Sequence, residues 1–159
     1  MRKPPVHTIS KDAIKAWKIT AALYEIIVWL ISIVAIVLHF VLDFPLWIVL
    51  ILILTSIVST YLTVFLLPKL RWRRWRYEVF DQEIYIQHGI LVVSRTLIPM
   101  IRVQHVETEQ GPILKKFDLA SVSISTAATT HKIPALSNEI ASDLRDRIST
   151  LARVDEDDV

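Results

Sequence analysis

Few residues in this chain join a reactive type to a chemically useful spacing. Glu25 is one. It is the single charge inside an apolar run, Ile19 to Val41, about two turns past its start. An acid in a membrane-length run is a functional-site candidate by default, because charge is costly there. Its alternative is plain: so near an end, the side chain can reach the interface or pair with Lys18 or Lys69. A second group is the hydroxyl stripe of the next apolar run. Thr55, Ser59 and Thr63 recur at i, i+4 and i+8, with Ser56 and Thr60 beside them. That spacing suits close helix contact with hydrogen bonds across it, or back-bonding to the helix's own carbonyls. The third group is PKLRWRRWRY, Pro68 to Tyr77. Lys69, Arg71, Arg73, Arg74 and Arg76 alternate there with Trp72, Trp75 and Tyr77. Basic and aromatic residues directly after an apolar run mark a membrane–water junction, and they can meet an anionic lipid surface.

Other chemistry is absent. The chain has no cysteine, so it carries no disulfide, thiolate metal site or cysteine nucleophile. Its five histidines, His7, His39, His88, His105 and His131, show no ligand spacing. There is no phosphate loop, nucleophile elbow or dinucleotide fingerprint, and only two glycines. The expectation is a protein that is not an enzyme and needs no cofactor or metal.

The elements that position these groups begin with two spans, about 19–41 and 44–67. The first run of 23 residues covers about 35 Å, enough to cross a hydrocarbon core. Residues 1–18 are polar and basic. They read as a cytoplasmic N-terminal segment in which Ser10 caps a short helix through Ile14 and Trp17, at headgroup depth. The run after them is too long for a signal peptide. The connection His39 to Pro45 holds Asp43 and no Lys or Arg, whereas the outer ends of both runs are basic. The positive-inside rule therefore predicts a multi-pass cell-membrane protein with both termini in the cytoplasm.

Charge divides the chain further. Residues 1–76 hold ten Lys/Arg against three Asp/Glu, and residues 77–159 hold eight against thirteen. An acidic soluble part argues against nucleic acid as its partner. From Trp72 the period turns from helical to two. Strands are predicted around Trp75–Tyr77–Val79, from Ile84 to His88, across the apolar run Ile90 to Ile98, over Ile101–Val103–His105, over Ala120 to Thr126 with serines on the solvent face, and from His131 to Leu136. Gln110-Gly111-Pro112 marks a turn and Ile113 to Phe117 a short helical turn. A closing helix buries Ile140, Leu144, Ile148 and Leu151. The tail 154–159 is acidic and reads as disordered. Arg95, Arg102, Gln104 and Gln110 interrupt apolar strands and are surface candidates, or simply outward strand positions.

The stretch RTLIPMIRVQHVETEQGPILKKFDLASVSISTAA, Arg95 to Ala128, resembles the core pattern of bacterial membrane-anchored pleckstrin-homology-like (PH-like) domains. That pattern runs through IP, RIQ and a hydrophobic residue, QG-L-basic, GLA and I-TA. Gly111 belongs to it with Arg95, Arg102, Gln104 and Gln110. The two spans and the basic, tryptophan-rich junction resemble the small YdbS-like members. Asp118 stands where many members have Gly, and Ala128-Thr129 replaces a usual Gly; both bear on loop shape rather than fold. The resemblance implies an antiparallel split β-barrel over 68–153, capped by a C-terminal α-helix and anchored by the hairpin 19–67. It implies a non-enzymatic interaction module whose partner is a larger multi-span membrane protein with similar domains, in a setting of membrane protection against antimicrobial peptides such as bacteriocins. A second copy of the chain is a further candidate partner. The competing reading is an anionic-lipid sensor at the cytoplasmic membrane face. Phosphoinositide-binding relatives carry a basic first hairpin, and here that hairpin, Glu78 to Glu83, is acidic.

Overall fold

Two uninterrupted apolar runs and one alternating segment fold as two compact units, Ile14–Lys69 and the segment from Leu70 onward together with the residues up to Ala13. The computed structural model describes residues 3–157. Arg2 of the basic N-terminal segment and the tail residues Asp158 and Val159 lie outside them.

The first unit is a helical hairpin. Helix α1, Ala13–Leu42, starts where the Ser10 carbonyl accepts the Ala13 N–H and the Ser10 Oγ accepts the Asp12 N–H. It ends before Asp43, which takes a left-handed φ of 51°, and Pro45 then opens α2, Leu46–Thr60. The second helix continues without a break through a π segment, Tyr61–Leu66, into α3, Leu67–Arg74. Pro68 explains the π segment. It has no N–H to donate, and its ring would strike the carbonyl four residues back, at Val64, so the turn before it widens. The two continuous helices, of 30 and 29 residues, are each long and apolar enough to cross a membrane.

Both helices overrun the expected spans. The second takes in Trp72–Arg74, where the period-two pattern begins. Trp72 and Trp75 are also three apart, a helical spacing, and the Trp75 N–H donates to the Arg71 carbonyl. The strand starts only at Arg76.

The second unit is built of two sheets and a helix. The first sheet has the order β1 (His7–Thr8), β2 (Arg76–Val79), β3 (Glu83–His88), β4 (Ser94–Pro99), all antiparallel. The second is β5 (Val103–Glu109), β6 (Leu119–Thr126), β7 (Thr130–Ser137). Short helical turns, Met100–Arg102 and α4 (Pro112–Lys116), join them. Helix α5, Asn138–Asp157, closes the unit. The core includes Val79, Ile84 and Ile98 in one cross-strand row, Val122, Ile124 and Ile133 in the other sheet, and the buried Met100 of the connecting turn; the inner strands β3 and β6 are covered on both faces over most of their length. This is a PH-like antiparallel fold with its C-terminal helix.

Several local expectations change. Ser10 does cap a helix through Ile14 and Trp17, but that helix is the start of α1 rather than a separate short one, and the residues before it form a strand. The N-terminal segment adds β1 to the first sheet, buries Ile9, and is tied by Trp72 Nε1 to the Ile9 carbonyl and by the Ser10 N–H to the Ala135 carbonyl. The Ile90 to Ile98 run is strand only from Ser94. The β6 serines are not a solvent face. β6 is the central strand, and Ser121 and Ser123 are buried with their hydroxyls bonded, Ser123 to Glu109 and Ser121 by the Ala135 N–H. Ile140 is 49% exposed and Ala141 buried instead, with Leu144 and Ile148; the small side chain lets the helix approach the sheet closely. Asp155–Asp157, read as disordered tail, continue α5. Of the two departures at glycine positions, Asp118 does adopt a left-handed φ of 52°, whereas Ala128 and Thr129 do not. Aspartate tolerates that region better than most residues.

Candidate functional site

Within the hairpin, Glu25 is 6% exposed although it sits among apolar residues. Three hydroxyls of the second helix donate to it: Ser59 Oγ at 2.7 Å and Thr63 Oγ1 at 2.8 Å to Oε1, and Thr60 Oγ1 at 3.1 Å to Oε2. Trp29 Nε1 donates to Thr60 Oγ1 at 3.1 Å. Two turns along α1, Ser32 and Ser56 meet at 2.8 Å. The expectation of a Glu25–lysine pair fails on this geometry. The carboxylate faces the other helix, while the Lys18 ammonium lies over the Phe65 ring, 5.4 Å from its centroid.

The cluster follows from helix geometry. Ser59 and Thr63 are one turn apart and share a face. Thr60 and Thr63 straddle the α-to-π junction set up by Pro68, where the helix widens beside Glu25. Thr60 and Thr63 also lie within reach of the Ser56 and Ser59 carbonyls. Each has one proton, so each divides it between carbonyl and carboxylate. Thr55 does not join; it is exposed and bonds back to the Ile51 carbonyl. Chemically, this is one acceptor satisfied by neutral donors, a device for registering two helices. Apolar side chains of Ile26, Leu30, Val64 and Phe65 line a groove of about 430 Å³ that Glu25 and Thr60 border.

The basic stretch divides by residue. Lys69, Arg71, Arg73 and Arg74 are exposed, and Arg76 is half-buried. The tryptophans of the stretch are half-buried at Trp72 and buried at Trp75. Trp72 is bonded to Ile9, and Trp75 is 7% exposed and stacked on His88, ring centroids 5.2 Å apart. Of the pattern residues, Arg95, Arg102, Gln104, Gln110 and Gly111 are all exposed, but they do not converge. Arg95 Nε donates to Gln87 across the β3–β4 pair. Gln104 occupies the register shift between Val103 and His105. Gln110 Nε2 donates to the Leu119 carbonyl and fixes the start of β6, and Gly111 precedes α4.

Among the described residues no cluster of three or more His, Asp or Glu could hold a metal ion. His7 packs on Tyr77, His39 bonds the Phe44 carbonyl, and His105 lies 3.5 Å from Glu107 at the surface. One polar group was missed in the sequence. Glu109 of β5 binds Lys132 of β7 and Ser123 of β6, across all strands of the second sheet. The Lys132 ammonium first, and the Ser123 hydroxyl next, hold the Glu109 carboxyl below the usual carboxylate range. Only the strand pairing brings these positions together.

The chain matches the bacterial PH domain family over residues 19–152. It is 50% identical over 159 residues, 100% of both chains, to the UPF0699 transmembrane protein YdbS of Bacillus subtilis (strain 168). It is also 29% identical over 79 residues to the UPF0699 transmembrane protein YdbT of the same bacterium; these make up 50% of this chain and 16% of YdbT. No solved structure matches it. With two membrane-length helices joined to two antiparallel sheets and a closing helix, the chain belongs to the bacterial PH domain family as a membrane protein similar to YdbS.

Proposed function

We propose that this protein is a non-enzymatic, membrane-anchored interaction module whose PH-like unit assembles with a larger multi-span membrane protein carrying similar domains. The observation that carries this reading is the edge strand β4. It ends its sheet, so one row of its backbone groups faces outward, and Arg95 and Leu97 are exposed along it with Ile101 just beyond. Such an edge is a template for pairing. Of the hydroxyl stripe, the hairpin uses Ser56, Ser59, Thr60 and Thr63 internally and leaves Thr55 exposed. The likeness to YdbT, of which the matched segment is a small part, supports a longer related protein as the partner class. Both termini lie in the cytoplasm in this reading, on the basic flanks and acidic connection of the hairpin. A function in protecting the membrane from antimicrobial peptides extends the proposal by family resemblance.

Co-expression with the longer related protein of the same cell tests it. The tagged chain, extracted in mild detergent, is expected to retain that protein in fixed ratio, and Leu97→Arg to lose it. Recovery of monomer with lipid alone overturns the reading. Orientation is checked separately, since the chain has no native cysteine. Asp43→Cys should react with an impermeant maleimide on intact cells, and Gln104→Cys only after permeabilisation. A deletion strain with unchanged sensitivity across a peptide panel would remove the protective extension.

A further inference from the structure

The loop between β3 and β4, residues 89–93, reads Gly-Ile-Leu-Val-Val. Leu91 is 97% exposed and Val92 82%, the two most exposed large apolar side chains among the described residues. Gly89 makes this tip. Its φ is +113°, and a Cβ placed on it would lie 1.9 Å from the Val92 carbonyl oxygen. Only glycine lets that carbonyl fold back and the loop close, which leaves the tip's side chains outside. From His88 to Pro99 there is no acidic residue.

Strand pairing fixes which end of the sheet this is. His88 pairs with Ser94 and stacks on Trp75, the residue directly after α3. In the next row, Arg76, Gln87 and Arg95 stand side by side on three strands. The apolar tip therefore shares a sheet end with Arg76, Arg95 and the point where the chain arrives from α3. The opposite end, the β2–β3 turn, carries Asp81 and Glu83. One end is apolar and basic, the other acidic.

We infer that the Gly89–Val93 tip is a second membrane contact, dipping Leu91 and Val92 into the headgroup–acyl boundary of the bilayer that holds the hairpin, with Arg76 and Arg95 set at phosphate level. Two arguments favour lipid over protein. A stable protein interface takes about 800 Å² and some 20 to 30 residues per side, and a tip this small presents far less. A bilayer needs only the protruding side chains, and the basic neighbours complement anionic headgroups. The chain is already tethered through α3, which raises the effective concentration of the surface. Arg95 lies on the β4 edge as well, so a β4 partner and this contact share that residue, whereas Leu91 and Val92 belong to the tip alone.

The test uses the full chain in vesicles of phosphatidylcholine with phosphatidylglycerol. Leu91→Cys and, as reference, Asp81→Cys each carry an environment-sensitive fluorophore at the only cysteine. Lipid-borne quenchers should suppress the Leu91 label several-fold more than the Asp81 label, with iodide showing the reverse. A Val92→Ser, Arg95→Gln background should shrink that difference without changing the circular dichroism. Equal quenching at both positions overturns the inference. So does a Leu91 label shielded from lipid quencher and iodide alike, which would assign the tip to a protein partner or second copy.

Discussion

The two units bury opposite chemistry. In the hairpin the enclosed side chains include Glu25, Ser32 and Ser56, while Leu23, Ile27, Ile51 and Leu54 face outward. In the sheet unit Ile84, Ile124, Ile133 and Ile148 are enclosed, and the charged residues lie outside or half-covered. The difference lies in the solvent. In water, apolar burial drives folding. In lipid, contact between apolar side chains gains little over contact with acyl chains, so polar groups and packing hold helices together. One polypeptide thus follows two rules, and the change falls at the basic stretch ending in Arg76.

The largest expected effect breaks the sheet unit. Ile124→Ala removes a fully buried side chain from the central strand, which should cost about 2–5 kcal/mol. Ile51→Ala makes the same chemical change on the outside of the hairpin, where Ile51 is 54% exposed, and should change stability little. Denaturant unfolding of the detergent-solubilised chain, followed by circular dichroism, compares them. Similar losses at both sites would mean that the outward face of α2 is packed against something other than lipid.

Glu25→Ala is the corresponding cut in the hairpin. It removes the acceptor of three hydroxyls, but Thr60 and Thr63 can turn fully to the carbonyls they already approach. Interhelical hydrogen bonds in membranes average about 0.6 kcal/mol, so the loss should be about 1–2 kcal/mol. Glu25→Gln keeps one acceptor oxygen and should lose less. Unfolding in mixed micelles with rising dodecyl sulfate reads both. An unchanged midpoint for Glu25→Ala would show that packing alone sets the register.

Which parts were legible follows the same division. The apolar runs are long and uninterrupted, so hydropathy alone marked the hairpin, and i, i+4 spacing marked Ser59 and Thr63. The partner of that stripe could not be read, because spacing fixes a face and not what lies opposite. Nor could the π segment, although Pro68 is its visible cause. In the sheet unit, alternation located β3, β6 and β7. It failed where apolar residues are exposed, at Leu91 and Val92, and where small polar ones are buried, at Ser121 and Ser123. The N-terminal strand is two residues long and too short to carry a period. The cross-strand set of Glu109, Ser123 and Lys132 needed the register of both strand pairs.

That set gives the smallest effect and the sharpest contrast with Glu25. Both carboxylates accept serine hydroxyls, but Glu109 and Lys132 are 46% and 49% exposed at the side chain. Water and salt screen such a pair, so its worth is at most about 1 kcal/mol. The sign follows from the depressed carboxyl. Its stabilisation is present above the unfolded value of about 4.3 and is lost as pH falls through the lower folded value. Lys132→Met should therefore lower the unfolding midpoint slightly at neutral pH and leave it unchanged in strong acid, with the difference shrinking in high salt. A loss that persists in acid would trace to the lysine's stem packing on the sheet rather than to its charge.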